Sequence, residues 1–426
     1  MKRRQLLQGA TALGLSPALA STAVKTMKNV PFERREKVRI GFVGVGGRGS
    51  GLLNDLLNVP GVEIKAICDL RLAHAERAAS RVEKAGQPRP ALYSGSETAY
   101  EKLCARDDLD LVYNATPWDW HVPIALCAME HGHHVAVEVP AATTLKDCWR
   151  LVDASEKTRR HCIQLENCCY GWSEMLVRRM TKAGLFGELT HGAAAYLHDL
   201  RSLLLEDAGE GLWRREPHKT RNGNLYPTHG LGPVAHYMDI HHGDRFERLV
   251  SVSSREASLT AYRDRTQPTG SKKRDEKYVC GDMNTSILRT VLGRTVVLQH
   301  DVVTPRPYSR LNHLSGTKGA FEDYPARVFF DGSGPEDWQP LEKFKDAWED
   351  PLWKAEGETA RRLGGHGGMD YLMSFRLISC LKEGLPPEID VYDAAAWSAP
   401  TPLSEASIQK GSSAVLFPDF TRGNWK

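Results

Sequence analysis

The stretch KVRIGFVGVGGRGSGLLNDLL, Lys37 to Leu57, limits the possible folds more than any other part of the chain. A β-rich run from Val38 to Val43 passes through Gly44-x-Gly46-x-x-Gly49 into a helix expected from Arg48 onward. Strand, glycine turn and helix in that order form a dinucleotide site. Gly44 permits the tight turn, Gly46 lets the backbone approach a pyrophosphate, and Gly49 allows close helix-to-strand packing. The helix N-terminus then faces the negative charge. A second strand, VEIKAICDL, ends at Asp69, twenty residues beyond Gly49, where a carboxylate accepts hydrogen bonds from a ribose diol. An acid at that point favours NAD over NADP.

The alternation continues with a helix over 72–85, the strand DLDLVYNATP, a helix after His121 and the strand HHVAVEVP, which reaches Glu138. This is a doubly wound βαβ pattern with its binding residues at the carboxyl ends of strands. TPWDWH, Thr116 to His121, stands at one such end, where Trp118 and Trp120 suit the wall of a nicotinamide or adenine pocket or, equally, a hydrophobic helix cap. His131, His133 and His134 lack the i, i+4 spacing of a helical zinc site and read as a turn entering a strand.

After HCIQLENCCY, a strand linking the domains, residues 170–184 read as a helix and the chain changes character. Alternating β-like stretches cover 187–200, 248–262, 277–304 and 324–331, and the repeated alternation with helices is lost. An open, mostly antiparallel sheet is expected, closed by a helix over Met369–Lys382 and another near Val391. The fold class is therefore α/β: a Rossmann doubly wound parallel sheet over 36–164, then a substrate-binding α+β domain over 165–426. Polar and aromatic residues gather in the loops of the second half: Tyr196 and His198, the run LWRREPHKTRNGNLYPTHG, Tyr308 and His366. Pro227 fixes its own φ and biases Tyr226 toward extended geometry, so Tyr226-Pro227-Thr228-His229 reads as a stiff loop holding a phenol and an imidazole at fixed separation. An imidazole titrating near neutral pH suits proton transfer at a sugar carbon or hydroxyl.

The N-terminus pairs Arg3 and Arg4 ahead of Leu6 and Leu7, followed by a mildly apolar run to Ala18-Leu19-Ala20. That matches a twin-arginine export signal with an A-x-A cleavage site over 1–20, then a linker over 21–35, and predicts a periplasmic protein exported already folded. The apolar run is too short to span a membrane, so no stable membrane anchoring is expected. A net charge of +3 over 426 residues offers no basic face for nucleic acid. The nine cysteines are scattered, never in CxxC spacing, and no metal site is expected.

The Rossmann half followed by a sheet domain resembles the Gfo/Idh/MocA oxidoreductases. Members of that family commonly carry Glu-Lys-Pro at a strand end, with the lysine near the nicotinamide; this sequence has Glu138-Val139-Pro140. That departure, together with TPWDWH, LENCCY, YLHDLR, RNGNLYPTHGLGP, GHGGMDY and DVYDAAAWSAPTPLSE, resembles glycoside hydrolase family 109, founded on α-N-acetylgalactosaminidase. The resemblance implies NAD contacts from Gly47, Arg48, Asp69, Trp118, Asp119, Trp120, His121, Glu138, Val139 and Asn167. It implies sugar contacts from Tyr196, Arg214, Tyr226 and Tyr308, with Tyr226, Pro227, Thr228 and His229 lying between cofactor and sugar.

NAD-dependent glycosidases are exceptions to the two-carboxylate rule. The resemblance implies transient oxidation at C3 of the sugar, removal of the acidified C2 hydrogen by His229 with Tyr226 assisting, and elimination of the aglycone. Water then adds from the vacated face and C3 is reduced again, so NAD is not consumed. The expected substrate is a glycoside with a terminal N-acetylhexosamine. The open sheet face offers a surface for a homo-oligomer. Two other readings stand beside this one: a periplasmic sugar oxidoreductase with tightly bound NAD(P), and a non-catalytic sugar-binding protein.

Overall fold

The computed structural model describes residues 25–332, 334 and 337–426. The export signal read over 1–20 lies outside the described residues. Six parallel strands form the first sheet: β1 (Val38–Val43), β2 (Val62–Cys68), β3 (Ala91–Tyr93), β4 (Leu111–Asn114), β5 (His134–Val137) and β6 (Cys162–Gln164), in the order β3-β2-β1-β4-β5-β6. Helices α1 (Gly47–Leu56), α2 (Leu72–Lys84), α3 (Ala99–Cys104), α4 (Trp118–Glu130) and α5 (Leu145–Thr158) connect them. The β4 and β5 strands are buried along their whole length, which is why they read as continuous apolar runs and not as alternation. The order reverses between β1 and β4, and ligands bind at such a switch point in an open α/β sheet.

The second sheet has nine strands. These are β7 (Leu189–Leu197), β8 (Phe246–Ser253), β9 (Asn284–Thr290), β10 (Thr295–Asp301), β11 (His313–Gly316), β12 (Gly319–Glu322), β13 (Arg327–Phe330), β14 (Gln339–Pro340) and β15 (Val415–Leu416). Every neighbouring pair is antiparallel except β7 with β10. Around it lie α6 (Trp172–Lys182), α7 (Arg201–Leu204), α8 (Gly211–Thr220), α9 (Thr228–Tyr237), α10 (Ser258–Thr266), α11 (Lys345–Trp348), α12 (Pro351–Leu363), α13 (Met369–Glu383), α14 (Val391–Ser398) and α15 (Pro400–Gln409). The β9 strand alternates between buried and exposed residues, as a sheet with one open face requires. Among the described residues no helix is long and apolar enough to cross a membrane.

Four segments differ from the sequence reading. Residues 212–220, read as loop, lie in α8. The last part of 248–262, read as β-like, is helical from Ser258: the Asp282 carboxylate accepts from the Ala257 and Ser258 amides and so starts α10 from a distant loop. The stiff loop around Pro227 ends one residue later, because Thr228 opens α9. Glycine and proline disfavour a helix there, but tertiary packing overrides them. A Cβ on Gly230 would lie 2.3 Å from the Ala195 amide nitrogen, and one on Gly232 would lie 2.9 Å from Glu166 Cγ. Only glycines let α9 settle this closely on β7 and on the turn after β6. The stretch 25–35, read as linker, is packed: Met27 and Phe32 are buried, and the Met27 amide donates to the Tyr392 hydroxyl at 2.9 Å.

The parallel sheet ends with β6 at Gln164, but the end of the chain returns to it. Ser374 on α13 bonds the Tyr113 hydroxyl at 3.0 Å, and α14 packs on α5. Residues from both halves thereby meet at the carboxyl ends of β1, β4 and β5.

Candidate active site

The glycine turn has the shape its motif requires. Gly44 has φ +83°, and a Cβ on Gly49 would lie 1.9 Å from the Gly44 carbonyl oxygen. Around Gly46 and Gly47, at the start of α1, a Cβ would meet nothing within 4 Å. Bare backbone therefore faces open space at a helix N-terminus, which suits a pyrophosphate. Asp69, just past β2, accepts from the Val45 amide and the Arg71 amide, both at 2.9 Å, so its carboxylate stands beside the turn. The residues present fit a dinucleotide.

Arg48, Glu138 and Asn167 join in one network. Arg48 Nε donates to Glu138 Oε1 at 2.6 Å, and its two terminal nitrogens donate to Asp370 at 2.5 and 3.0 Å. Asn167 Nδ2 donates to the same Asp370 at 2.7 Å, and His366 Nδ1 lies 2.8 Å from it. Burial alone would raise the Asp370 carboxyl, but His366 and Arg48 hold it far below its ordinary value. Asp55, on α1, shows the opposite balance: burial, then the Asp370 charge, push its carboxyl up to about 7. Asp370 was not singled out in the sequence, although it opens the first turn of a helix four residues after His366.

The TPWDWH residues part ways. Trp118 Nε1 donates to the Val139 carbonyl at 3.2 Å, and its ring lies 5.9 Å from that of Tyr226. Trp120 instead meets Tyr100 at 6.0 Å on the Rossmann side. Side chains two apart on a helix do not share a face, so the two tryptophans do not wall one pocket. His121 is buried with both ring nitrogens 2.8 Å from backbone carbonyls, of Pro140 and Thr116. It ties two strand ends together and has no nitrogen left for a ligand. Asp119 is exposed.

Val139 of the first half and Tyr196 and Tyr226 of the second share one buried cluster, with half-buried Trp118 and Tyr308 at its edge. The Arg214 guanidinium lies 4.8 Å from the Tyr226 ring and 5.5 Å from Trp118, and donates to Glu210 at 2.7 Å. Burial pushes the Tyr226 phenol well above its ordinary range despite Arg214, so it stays protonated. The Tyr196 hydroxyl is 3.0 Å from His198 Nδ1, and the Tyr308 hydroxyl accepts from Arg310 at 3.2 Å. Burial, followed by the Arg214 charge, lowers the His198 imidazole.

His229 links these groups. Its Nε2 is 3.4 Å from the Tyr226 hydroxyl and its Nδ1 is 2.7 Å from Glu166 Oε1. Glu166 is fully buried; burial would raise it, but the His229 imidazole and neighbouring hydrogen bonds hold it below its ordinary value. Sequence reasoning missed Glu166, whose one signal is its position two residues past the end of β6. Cys168 brings its sulfur within 4.8 Å of the Glu166 and His229 ligand atoms. Burial pushes its thiol well up, and it donates to Asn167 Oδ1 at 3.5 Å. The arrangement is a buried carboxylate, an imidazole and a phenol in series, with the Arg214 guanidinium and the Tyr196 ring packed against the phenol and Tyr308 beyond them.

Comparison with known proteins covers both halves of the chain. A family model described as glycosyl hydrolase 109, C-terminal domain, matches residues 170–426, and one described as oxidoreductase family, NAD-binding Rossmann fold, matches residues 38–165. A glycosyl hydrolase family 109 protein of Solibacter usitatus (strain Ellin6076) is 55% identical over 100% of this chain and 98% of its own. One from Streptomyces filamentosus is 51% identical over 94% of this chain and 81% of its own. Among solved structures, a levoglucosan dehydrogenase in complex with NADH and levoglucosan superposes with a TM-score of 0.70 at 17% identity, over 90% of this chain and 100% of that one.

Proposed function

The chain belongs to glycosyl hydrolase family 109, with NAD as its cofactor, and on that footing we propose that it is a retaining α-N-acetylgalactosaminidase. The observation that carries this reading is the Glu166–His229–Tyr226 series, joined to the Rossmann half through Trp118, which bonds Val139 and packs on Tyr226, with apolar Val139 where the related oxidoreductases carry lysine. Arg48, Asp69, Glu138 and Asn167 would hold the cofactor, and NAD bound there would supply reversible oxidation of a sugar hydroxyl, here at C3. Once C3 is a ketone, the C2 hydrogen is acidic. Glu166 accepts from Nδ1 of His229 and leaves Nε2, on the Tyr226 side, to take that proton. Tyr226, kept protonated by burial, donates to a sugar oxygen from beside the base. Arg214 is the donor fork for a hydroxyl or an acetamido oxygen. The aglycone leaves C1 with a proton, water adds to C1 from the same face as C2 regains a proton from His229, giving retention, and C3 is returned to the alcohol so that no net oxidation remains.

The test is a panel of α- and β-nitrophenyl glycosides, with and without a 2-acetamido group, hydrolysed in deuterated water. The α-N-acetylgalactosaminide should be cut with deuterium at C2 of the released sugar and no net NADH. A two-carboxylate mechanism never breaks the C2–H bond, so hydrolysis with protium kept at C2 would overturn the mechanism. Accumulation of NADH with a ketone product would assign a sugar oxidoreductase instead. The His229→Ala variant should lose about 10²- to 10⁴-fold in turnover.

We also propose that the first twenty residues direct twin-arginine export to the periplasm after NAD has been loaded. Replacing Arg3 and Arg4 by lysine should keep the protein in the cytoplasm; unchanged export refutes this.

A further inference from the structure

A second cleft, of about 400 Å³, opens between the turn after β6, the α11–α12 segment and the glycine run before α13. Its lining includes Trp172, Glu174, Glu342, Lys345, Arg361 and His366. Two of these residues join it to the site already described. Glu174 accepts from Arg310, whose other nitrogen donates to the Tyr308 hydroxyl at 3.2 Å. His366 bonds Asp370, the partner of Arg48 and Asn167. One side of the cleft is thus a single residue, Arg310, away from Tyr308, and the other a single residue, Asp370, away from Arg48, which puts the part of a substrate beyond the cleaved bond within its reach.

Its charges do not cancel. Glu174 is taken up by buried Arg310 and by Asn312 at 3.3 Å. Glu342 lies 3.7 Å from Lys345. Arg361, which is exposed, stacks at 5.1 Å over the Trp353 ring and has no carboxylate partner among the described residues. His366 projects from the glycine run with its side chain 58% exposed, and its hydrogen bond to Asp370 raises its imidazole. Half-buried Trp172, fixed by a 2.8 Å bond from its indole nitrogen to Glu349, provides an aromatic surface of the kind a sugar ring stacks on. A tryptophan platform flanked by an unpaired guanidinium, with the half-exposed His366 ring as a further polar neighbour, suits an anionic sugar.

We propose that this cleft is an aglycone subsite that recognises a carboxylate- or sulfate-bearing sugar next to the residue being cleaved. The proposal rests on the glycosidase reading above. The test compares two coumarin α-N-acetylgalactosaminides that differ in one group: the 4-methylumbelliferyl glycoside and the glycoside of 7-hydroxycoumarin-4-acetic acid. At low salt the acidic substrate should show about a fivefold higher kcat/KM, carried by KM, the size expected for one partly exposed ion pair. In Arg361→Gln the advantage should vanish while the neutral substrate is cut at the wild-type rate, which also reports that the variant has folded; Lys345→Ala should shrink it. Equal kcat/KM for the two substrates in the wild type, or an advantage that survives Arg361→Gln, overturns the subsite. If neither glycoside is cut, the glycosidase reading fails and the subsite is judged by binding alone. A chondroitin sulfate tetrasaccharide titrated calorimetrically into the NAD-loaded protein should then bind to the wild type and lose affinity in Arg361→Gln; no binding refutes it.

Discussion

Replacing Glu166 by glutamine keeps the side-chain shape and removes its charge. The carboxylate is fully buried and 2.7 Å from His229 Nδ1, so the contact is a charge-assisted hydrogen bond with no water to substitute for it. Such bonds contribute about 1.5–3 kcal/mol net. At about 1.4 kcal/mol per decade, that predicts a fall in kcat of roughly 10- to 150-fold. The loss should appear in the proton step, so a substrate deuterated at C2 should show a larger isotope effect in the variant than in the wild type. The KM for the sugar should hold, because Glu166 lies behind the imidazole and not against the substrate. The isotope effect and the split between kcat and KM separate positioning from a packing role, because a packing defect would not single out the proton step. A kcat within twofold of wild type, in a folded protein that retains NAD, would refute the series as the proton path.

Replacing Asp69 by alanine should weaken NAD retention more than it slows turnover in excess NAD, measured as nucleotide released on denaturation, because the carboxylate braces the glycine turn far from the reacting carbon. Replacing Arg214 by alanine should raise the KM for the sugar severalfold and leave retained NAD unchanged; equal KM removes it from the sugar site. Asp55 gives a pH test of stability. Its folded carboxyl is raised to about 7, so its contribution is fully present below the ordinary aspartate range and is lost as pH rises through 7. Asp55→Asn should therefore resist urea better than wild type at pH 8.5, by about 1–2 kcal/mol after discounting for solvent screening, with the gain shrinking at pH 5.

The parts of the fold that depend on neighbouring residues were legible in the sequence. The β1–turn–α1 unit is specified by consecutive residues, and Asp69 follows at the distance set by one helix and one strand. The α9 helix was not legible, because its sequence argues against a helix and only packing on Ala195 and Glu166 makes room for it. Tyr226 and His229 were recognisable as reactive types, and their three-residue separation survives the change from loop to helix. Their partner was hidden: Glu166 lies 63 residues away in the chain, and nothing near it marks it as acting on a histidine. The same applies to Asp370, 322 residues from the Arg48 it holds.

These two hidden acids show how the site is assembled. Glu166 comes from the turn that leaves the parallel sheet, and Asp370 from the helix that returns to it, so the seam between the halves supplies the charge on each side of the pocket. One carboxylate holds the proposed base and the other holds the arginine at the cofactor turn. Asn167, next to Glu166 in sequence and bonded to Asp370 in space, bridges them. A shift of α13 relative to β6 would therefore disturb the cofactor network first, through Arg48, and reach His229 only through Asn167 and the backbone beside it. Loss of nucleotide should precede loss of the proton path when the seam is loosened, which is the order required of an enzyme whose chemistry is useless without its cofactor.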